Sequence, residues 1–260
     1  MGFLKNKKIL ITGISNSRSI AFSIAKAMYA QTAELGFMCY NDNISKKIKS
    51  LVDFMRPKFI FSCDLSQDKS IENLFFNIHK IWKTFDGLVH AVAYSPRDHL
   101  KGDFIQNTSR IGFNITHEIS SYSFLGLTKA CRNMLNRYSS LLTLSYLGSC
   151  KVVPNYNVMG LAKASLEANM RYMAYTLGKD DIRVNAISSG PIKTISSHQI
   201  RNFRKIKTYS ESSEIIKNHT LSENIGHISA FLLSNLSNGI TGSVIYVDNG
   251  VNIFSDINNL

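Results

Sequence analysis

Tyr156 and Lys163 stand seven positions apart in the sequence. On a helix that interval advances about 700° and returns both side chains to one face. A lysine ammonium beside a phenol favours the phenolate and eases its proton transfer. The same ammonium can hold the ribose hydroxyls of a dinucleotide. Tyr and Lys often meet this spacing by chance, so the pair draws its weight from context. It opens a long helical pattern that follows an apolar strand closing on Ser145 and Tyr146. Two phenols, one at a strand end and one at a helix start, can converge on a single carbonyl oxygen.

A second group of residues has the chemistry to hold a nucleotide. Between the first strand and the first helix the chain reads Thr12-Gly13-Ile14-Ser15-Asn16-Ser17-Arg18-Ser19-Ile20. Small and polar residues in such a turn let backbone N–H groups meet a pyrophosphate at the helix N-terminus. Gly13 alone remains of the usual glycine trio, and Ser19 stands where another is common. By spacing, the turn fits a nucleotide site or an ordinary loop. The third strand ends in Cys63-Asp64-Leu65. A carboxylate there can accept from an adenine amino group or cap the following helix. Val92-Ala93 close the fourth strand, where small residues would let the backbone approach a ribose and a nicotinamide.

The elements that must position these groups alternate from the start. Apolar runs predict strands at 8–12, 33–40, 58–63, 88–92, 140–147, 183–187 and 243–247. Apolar residues at helical spacing predict helices at 19–31, 44–54, 70–85, 111–132 and 156–177. Ser19 suits an N-cap, and Trp82 joins Ile71, Leu74, Phe75 and Ile78 on one face of the third helix. Strands apolar on both faces imply a parallel sheet covered by helices. No repeat or linker divides the chain. The expectation is an α/β fold, a single Rossmann-type doubly wound domain over 1–260 with a seven-stranded parallel sheet. Residues 193–217 leave the rhythm, being polar and basic around Ile195, Ile200, Phe203 and Ile206. The segment lies after the sixth strand, on the ligand side of such a sheet. It reads as a helical substrate-binding lid or a plain helical connection. Arg201, Arg204 and Lys205 fall on about one helical face of it, suited to an acidic partner or simply to solvent.

Composition narrows the class. Hydrophobic residues at 44% and charged residues at 18% fit a folded globular chain rather than disorder. The net charge of +12 permits an acidic partner, or reflects a chain-wide bias toward Lys, Asn and Ile. No long basic run and no zinc-finger spacing points to nucleic acid. The short apolar start is not a signal peptide, and no stretch approaches the ~18 apolar residues of a membrane helix, so a cytoplasmic protein without integral membrane contact is expected. Cys39, Cys63, Cys131 and Cys150 form no CxxC pair, and the seven histidines form no HExxH, so no metal site is expected.

Longer motifs identify a resemblance. MGFLKNKKILITG, HEISSYSF, LLTLSYLGS, PNYNVMGLAKASLEANMRYMA, IRVNAISSGPIKT and TGSVIYVDNG resemble bacterial enoyl-acyl carrier protein reductases, over about residues 1 to 255. The Tyr-x6-Lys spacing separates that family from the wider short-chain dehydrogenase/reductase superfamily, whose pair is Tyr-x3-Lys. The resemblance implies NADH as cofactor. It implies reduction of the trans-2 double bond of an enoyl thioester on acyl carrier protein, the last reductive step of type II fatty-acid elongation, by a homotetramer. It places Tyr146, Tyr156 and Lys163 at the chemistry. Gly13, Ser19, Ile20, Tyr40, Asp64, Leu65, Val92, Lys163 and Ile192, Lys193, Thr194, Ile195, Ser196 would hold the cofactor. Ser95, Tyr146, Tyr156 and Met159 would meet the substrate, with Ile200, Phe203 and Ile206 lining the mouth for the acyl chain. Three positions depart from the pattern: Tyr40 for Gln, Ala93 for Gly, and Asn249 for Gly in the closing turn. The alternatives are a short-chain reductase acting on a carbonyl group, and a dinucleotide-binding module without catalysis.

Overall fold

A computed structural model describes residues 2–254. Seven strands form one all-parallel sheet: β1 (Lys8–Thr12), β2 (Glu34–Cys39), β3 (Ile60–Ser62), β4 (Phe85–His90), β5 (Leu135–Tyr146), β6 (Arg183–Ser189) and β7 (Val244–Val247). Their order is β3-β2-β1-β4-β5-β6-β7. The order reverses between β1 and β4, which opens a crevice beyond their carboxyl ends. The helices are α1 (Ile20–Ala30), α2 (Asp42–Val52), α3 (Asp68–Ile81), α4 (Phe104–Asn107), α5 (Arg110–His117), α6 (Ser123–Cys131), α7 (Val158–Gly178), α8 (Phe203–Ser213) and α9 (Ser222–Leu232). Two apolar cores flank the sheet. One gathers Ile71, Phe75, Phe124, Leu127, Leu166 and Met170, and the other Ile24, Met28, Ile48, Val52, Ile225 and Leu232. Apolar side chains on both strand faces thus find a helical layer each, as a doubly wound sheet requires.

Four local expectations need correction. The helix expected over 111–132 is interrupted by a wider π-type turn, Glu118–Tyr122, between α5 and α6. Trp82 does not extend the face of α3. It leaves the helix with extended backbone, stays buried, and donates through Nε1 to Glu34 Oε1 at 2.7 Å, so β4 starts early, at Phe85. The helix expected from Tyr156 begins at Val158 instead, because Asn155 and Asn157 take positive φ of 65° and 43°. Asn accepts positive φ better than most residues, although Asn157, with ψ −123°, lies outside the left-handed helical region. Ser19 stands at the N-cap of α1 by position, yet its hydroxyl makes no capping bond.

At the sheet's carboxyl end one retained glycine and one departure find a backbone cause. Gly13 has φ +86°, and a Cβ there would lie 2.1 Å from the Ala91 carbonyl oxygen. Only glycine lets β1 and β4 end this close together. Asn249 has φ +53°, so the residue replacing glycine in the closing turn is one that the left-handed region accepts.

Candidate active site

The crevice is a cavity of about 800 Å³ running from the Gly13 turn, across β4 and β5, to the segment after β6. At its first end the Ser19 hydroxyl turns back into the loop and accepts from the Ser15 and Asn16 N–H groups at 3.1 and 3.2 Å. That folds the turn into a cradle of small groups around Gly13. Tyr40 projects beyond β2, 62% exposed, against the same cavity. Asp64 uses Oδ1 to accept from Ser66 N and Oγ, an Asx turn ahead of α3 rather than a cap on the helix itself.

In the middle, three functional groups converge. β5 delivers Tyr146 at its last position and the turn before α7 delivers Tyr156. Their rings meet edge to face, centroids 4.9 Å apart. Lys163 sits one and a half turns into α7, buried, and donates from Nζ to the Leu144 carbonyl at 2.7 Å. Tyr156 and Lys163 therefore reach one cavity from a turn and from a helix, and not by sharing one helical face. Burial sets their ionisation. It pushes Tyr146 up to about 12 and Tyr156 higher still, with Tyr146 beside it adding to the effect. It pulls Lys163 down to about 8, opposed by Glu167 one turn further along α7. The expected phenolate is thus corrected. Desolvation, with Tyr146 second, raises it, and Tyr156 is a neutral phenol, suited to donating a hydrogen bond and not to accepting a proton.

The π-type turn shapes the wall opposite. It aims Ser120 at the loop after β4, where its hydroxyl accepts from Tyr94 N at 2.9 Å and donates to Tyr94 O at 2.8 Å. One helical turn earlier, Thr116 donates to Ser95 Oγ at 2.9 Å. Ser95 is buried and lines the cavity. At the far end, Ile200, Phe203 and Ile206 border the cavity beside Leu100, Val153 and Met159. The Arg201 N–H bonds to the Leu100 carbonyl at 3.1 Å and ties this segment to the β4 loop.

Every cofactor or substrate residue named from the sequence lines this cavity except Lys193, which is exposed and outside the lining. Leu100, Ile119, Val153 and Gly190 line it without having been named. Only Gly190 carried a signal, as the glycine before Pro191 at the end of β6. Arg201, Arg204 and Lys205 are all exposed, but Arg201 precedes α8 and Asn202 takes φ 60°, so the three do not share a helical face as expected.

The family described as "Enoyl-(Acyl carrier protein) reductase" matches residues 13–252. Enoyl-[acyl-carrier-protein] reductase [NADH] of Buchnera aphidicola subsp. Acyrthosiphon pisum is 65% identical over 260 residues, covering 100% of both chains. The crystal structure of enoyl-[acyl-carrier-protein] reductase (NADH) from Aquifex aeolicus superposes with a TM-score of 0.95 at 38% identity, over 98% of this chain and 99% of that one. The reductase of Anaplasma phagocytophilum, solved in complex with NAD, gives a TM-score of 0.92 at 37% identity, over 98% and 95% of the two chains.

Proposed function

This chain belongs to the enoyl-(acyl carrier protein) reductase family, and we propose that Tyr156 and Lys163 are the groups through which it reduces enoyl thioesters with NADH. The reaction is NADH-dependent reduction of the trans-2 double bond of an enoyl-acyl carrier protein, in fatty-acid synthesis. One observation carries the residue assignment. A buried lysine and two phenols converge midway along a cavity whose first end is a Gly13 cradle and whose far end is apolar.

The residues present fit a dinucleotide: a turn that admits no Cβ at Gly13, an open carboxylate oxygen on Asp64, and a cation at Lys163. When bound, NADH supplies a hydride to C3 of the enoyl group. Lys163 holds the ribose hydroxyls in place. Charge then collects on the thioester oxygen, and the neutral Tyr156 phenol donates a hydrogen bond to it. One such donor, aimed where charge develops, contributes about 3 kcal/mol. Protonation at C2 completes the reduction. Tyr146, packed edge-on, fixes the Tyr156 ring, and Ser95 and Met159 bound the thioester.

Residues 193–217 serve as a lid on a single catalytic domain over 1–260, with Ile200, Phe203 and Ile206 as the apolar mouth. Arg201, Arg204 and Lys205 face solvent outside that mouth, where the acidic surface of acyl carrier protein would dock. Exposed Ile111, Tyr172 and Tyr175 on α5 and α7 support assembly as a homotetramer. The protein would work in the cytoplasm; among the described residues no helix is long and apolar enough to cross a membrane. Deuterium transferred from labelled NADH should appear at C3 of the acyl product. Label on a hydroxyl-bearing carbon would instead mark carbonyl reduction and overturn the proposal.

A further inference from the structure

Lys163 is a cation buried beside two neutral phenols, and a cation so placed needs help to stay charged. Tyr146 and Tyr156 line the same cavity. From β4 the neutral His90 lies near enough to feel its charge. The carboxylate acting on it is Glu167, four residues on and one turn along the same helix. Glu167 does more than sit there. Its carboxylate accepts a hydrogen bond from Ser145 Oγ. Ser145 directly follows Leu144, whose carbonyl accepts the Lys163 ammonium at 2.7 Å. α7 is thus stitched to the end of β5 by two adjacent bonds, one from the lysine and one to the glutamate. Glu167 also lies near enough to Tyr246 of β7 for its charge to act there, as does that of Asp248.

We propose that Glu167 is a positioning residue for Lys163. Through Ser145 it braces the strand end that carries the lysine's carbonyl partner, and its negative charge keeps the lysine in the ammonium form that the cofactor ribose requires. The proposal rests on the reductase reading above. Removing the glutamate charge weakens NADH binding first at alkaline pH, because the lysine then gives up its proton sooner. Lys163 stands at about 8 with Glu167 in place. Tyr146 stands at about 12 and His90 at about 3, outside that range.

The test measures NADH binding by fluorescence from about pH 6 to about pH 10, on the parent, Lys163→Met, Glu167→Gln, Glu167→Asp and Ser145→Ala. Parent affinity should fall through an alkaline limb that Lys163→Met abolishes. Glu167→Gln should move that limb to lower pH by about half a pH unit or more, and Glu167→Asp should restore most of it. Ser145→Ala should shift it the same way by less, and stands in if Glu167→Gln does not fold. A limb unmoved in Glu167→Gln, or moved upward, overturns the proposal even where the parent reduces enoyl thioesters. A parent that does not reduce them overturns the reductase reading instead.

Discussion

Lys163 carries a packing bond to Leu144 and, on the proposed reading, a cofactor contact, and truncation would remove both. Lys163→Ala should raise the Michaelis constant for NADH and cut turnover by at least tenfold, while circular dichroism stays that of the parent. An unchanged Michaelis constant with full turnover would remove the lysine from the site. Tyr156→Phe removes the donor alone. It should lower kcat about a hundredfold with little effect on NADH binding, as single-turnover kinetics would show. His90 illustrates a buried group with another consequence. Its ring bridges Thr143 Oγ1 and Ser123 Oγ, each at 2.8 Å, and burial, with the Lys163 charge second, lowers it from 6.5 to about 3. The unfolded chain takes up this proton first. The stability His90 contributes is therefore complete above about pH 6.5 and drains as pH falls toward about 3, by about 1.4 kcal/mol per pH unit. Urea unfolding of parent and His90→Gln at about pH 7 and about pH 5 should show the parent losing about 2 kcal/mol more than the variant. Equal losses would contradict the buried neutral ring. The tyrosines and Lys163 were legible in the sequence as residue types at a spacing. Their ionisation was not, because desolvation depends on what covers a group and spacing does not report it.

Strands and helices were legible where their apolar period was unbroken, and misread where a single residue redirected the chain. Positive φ at Asn155 and Asn157 moved Tyr156 off the helix, and Trp82 left α3 for Glu34. The π-type turn was invisible to periodicity, since one extra residue per turn leaves apolar residues at i+3 and i+4 on both sides. It nonetheless places Ser120 on Tyr94. Ser120→Ala frees the loop carrying Val92 to Ser95 and should raise the Michaelis constant for the enoyl substrate several-fold, at unchanged melting temperature within a few degrees. An unaltered Michaelis constant would mean the loop holds itself. Segment 193–217, proposed as a lid, makes a separate claim. Arg201, Arg204 and Lys205 are scattered around a turn and the start of α8 rather than aligned, so docking would use their summed charge and not a helical stripe. Replacing all three by Glu should reduce activity on a carrier-bound enoyl thioester sharply, and more so at low salt. Activity on a small crotonyl thioester should change little. Equal losses on both would mean damage to the lid.

At the scale of the molecule, a doubly wound sheet with a switch point between β1 and β4 fixes where the ligand lies, and the sequence showed that sheet through its alternating elements. The same geometry bears on the choice of cofactor. Beyond β2 stand Tyr40, Asn41 and Asp42. Asn41 is occupied in capping α2, and Lys46 and Lys47 are exposed further along. No base stands at the strand end to meet a ribose phosphate, which fits NADH. The most direct test of the whole account is the rate of NADH oxidation by the purified chain with a crotonyl thioester against an acetoacetyl thioester. Reduction of an enoyl double bond, steered by a neutral Tyr156 and an ammonium at Lys163, predicts rapid turnover of the crotonyl thioester and almost none of the acetoacetyl one. Faster oxidation with the acetoacetyl thioester would contradict it.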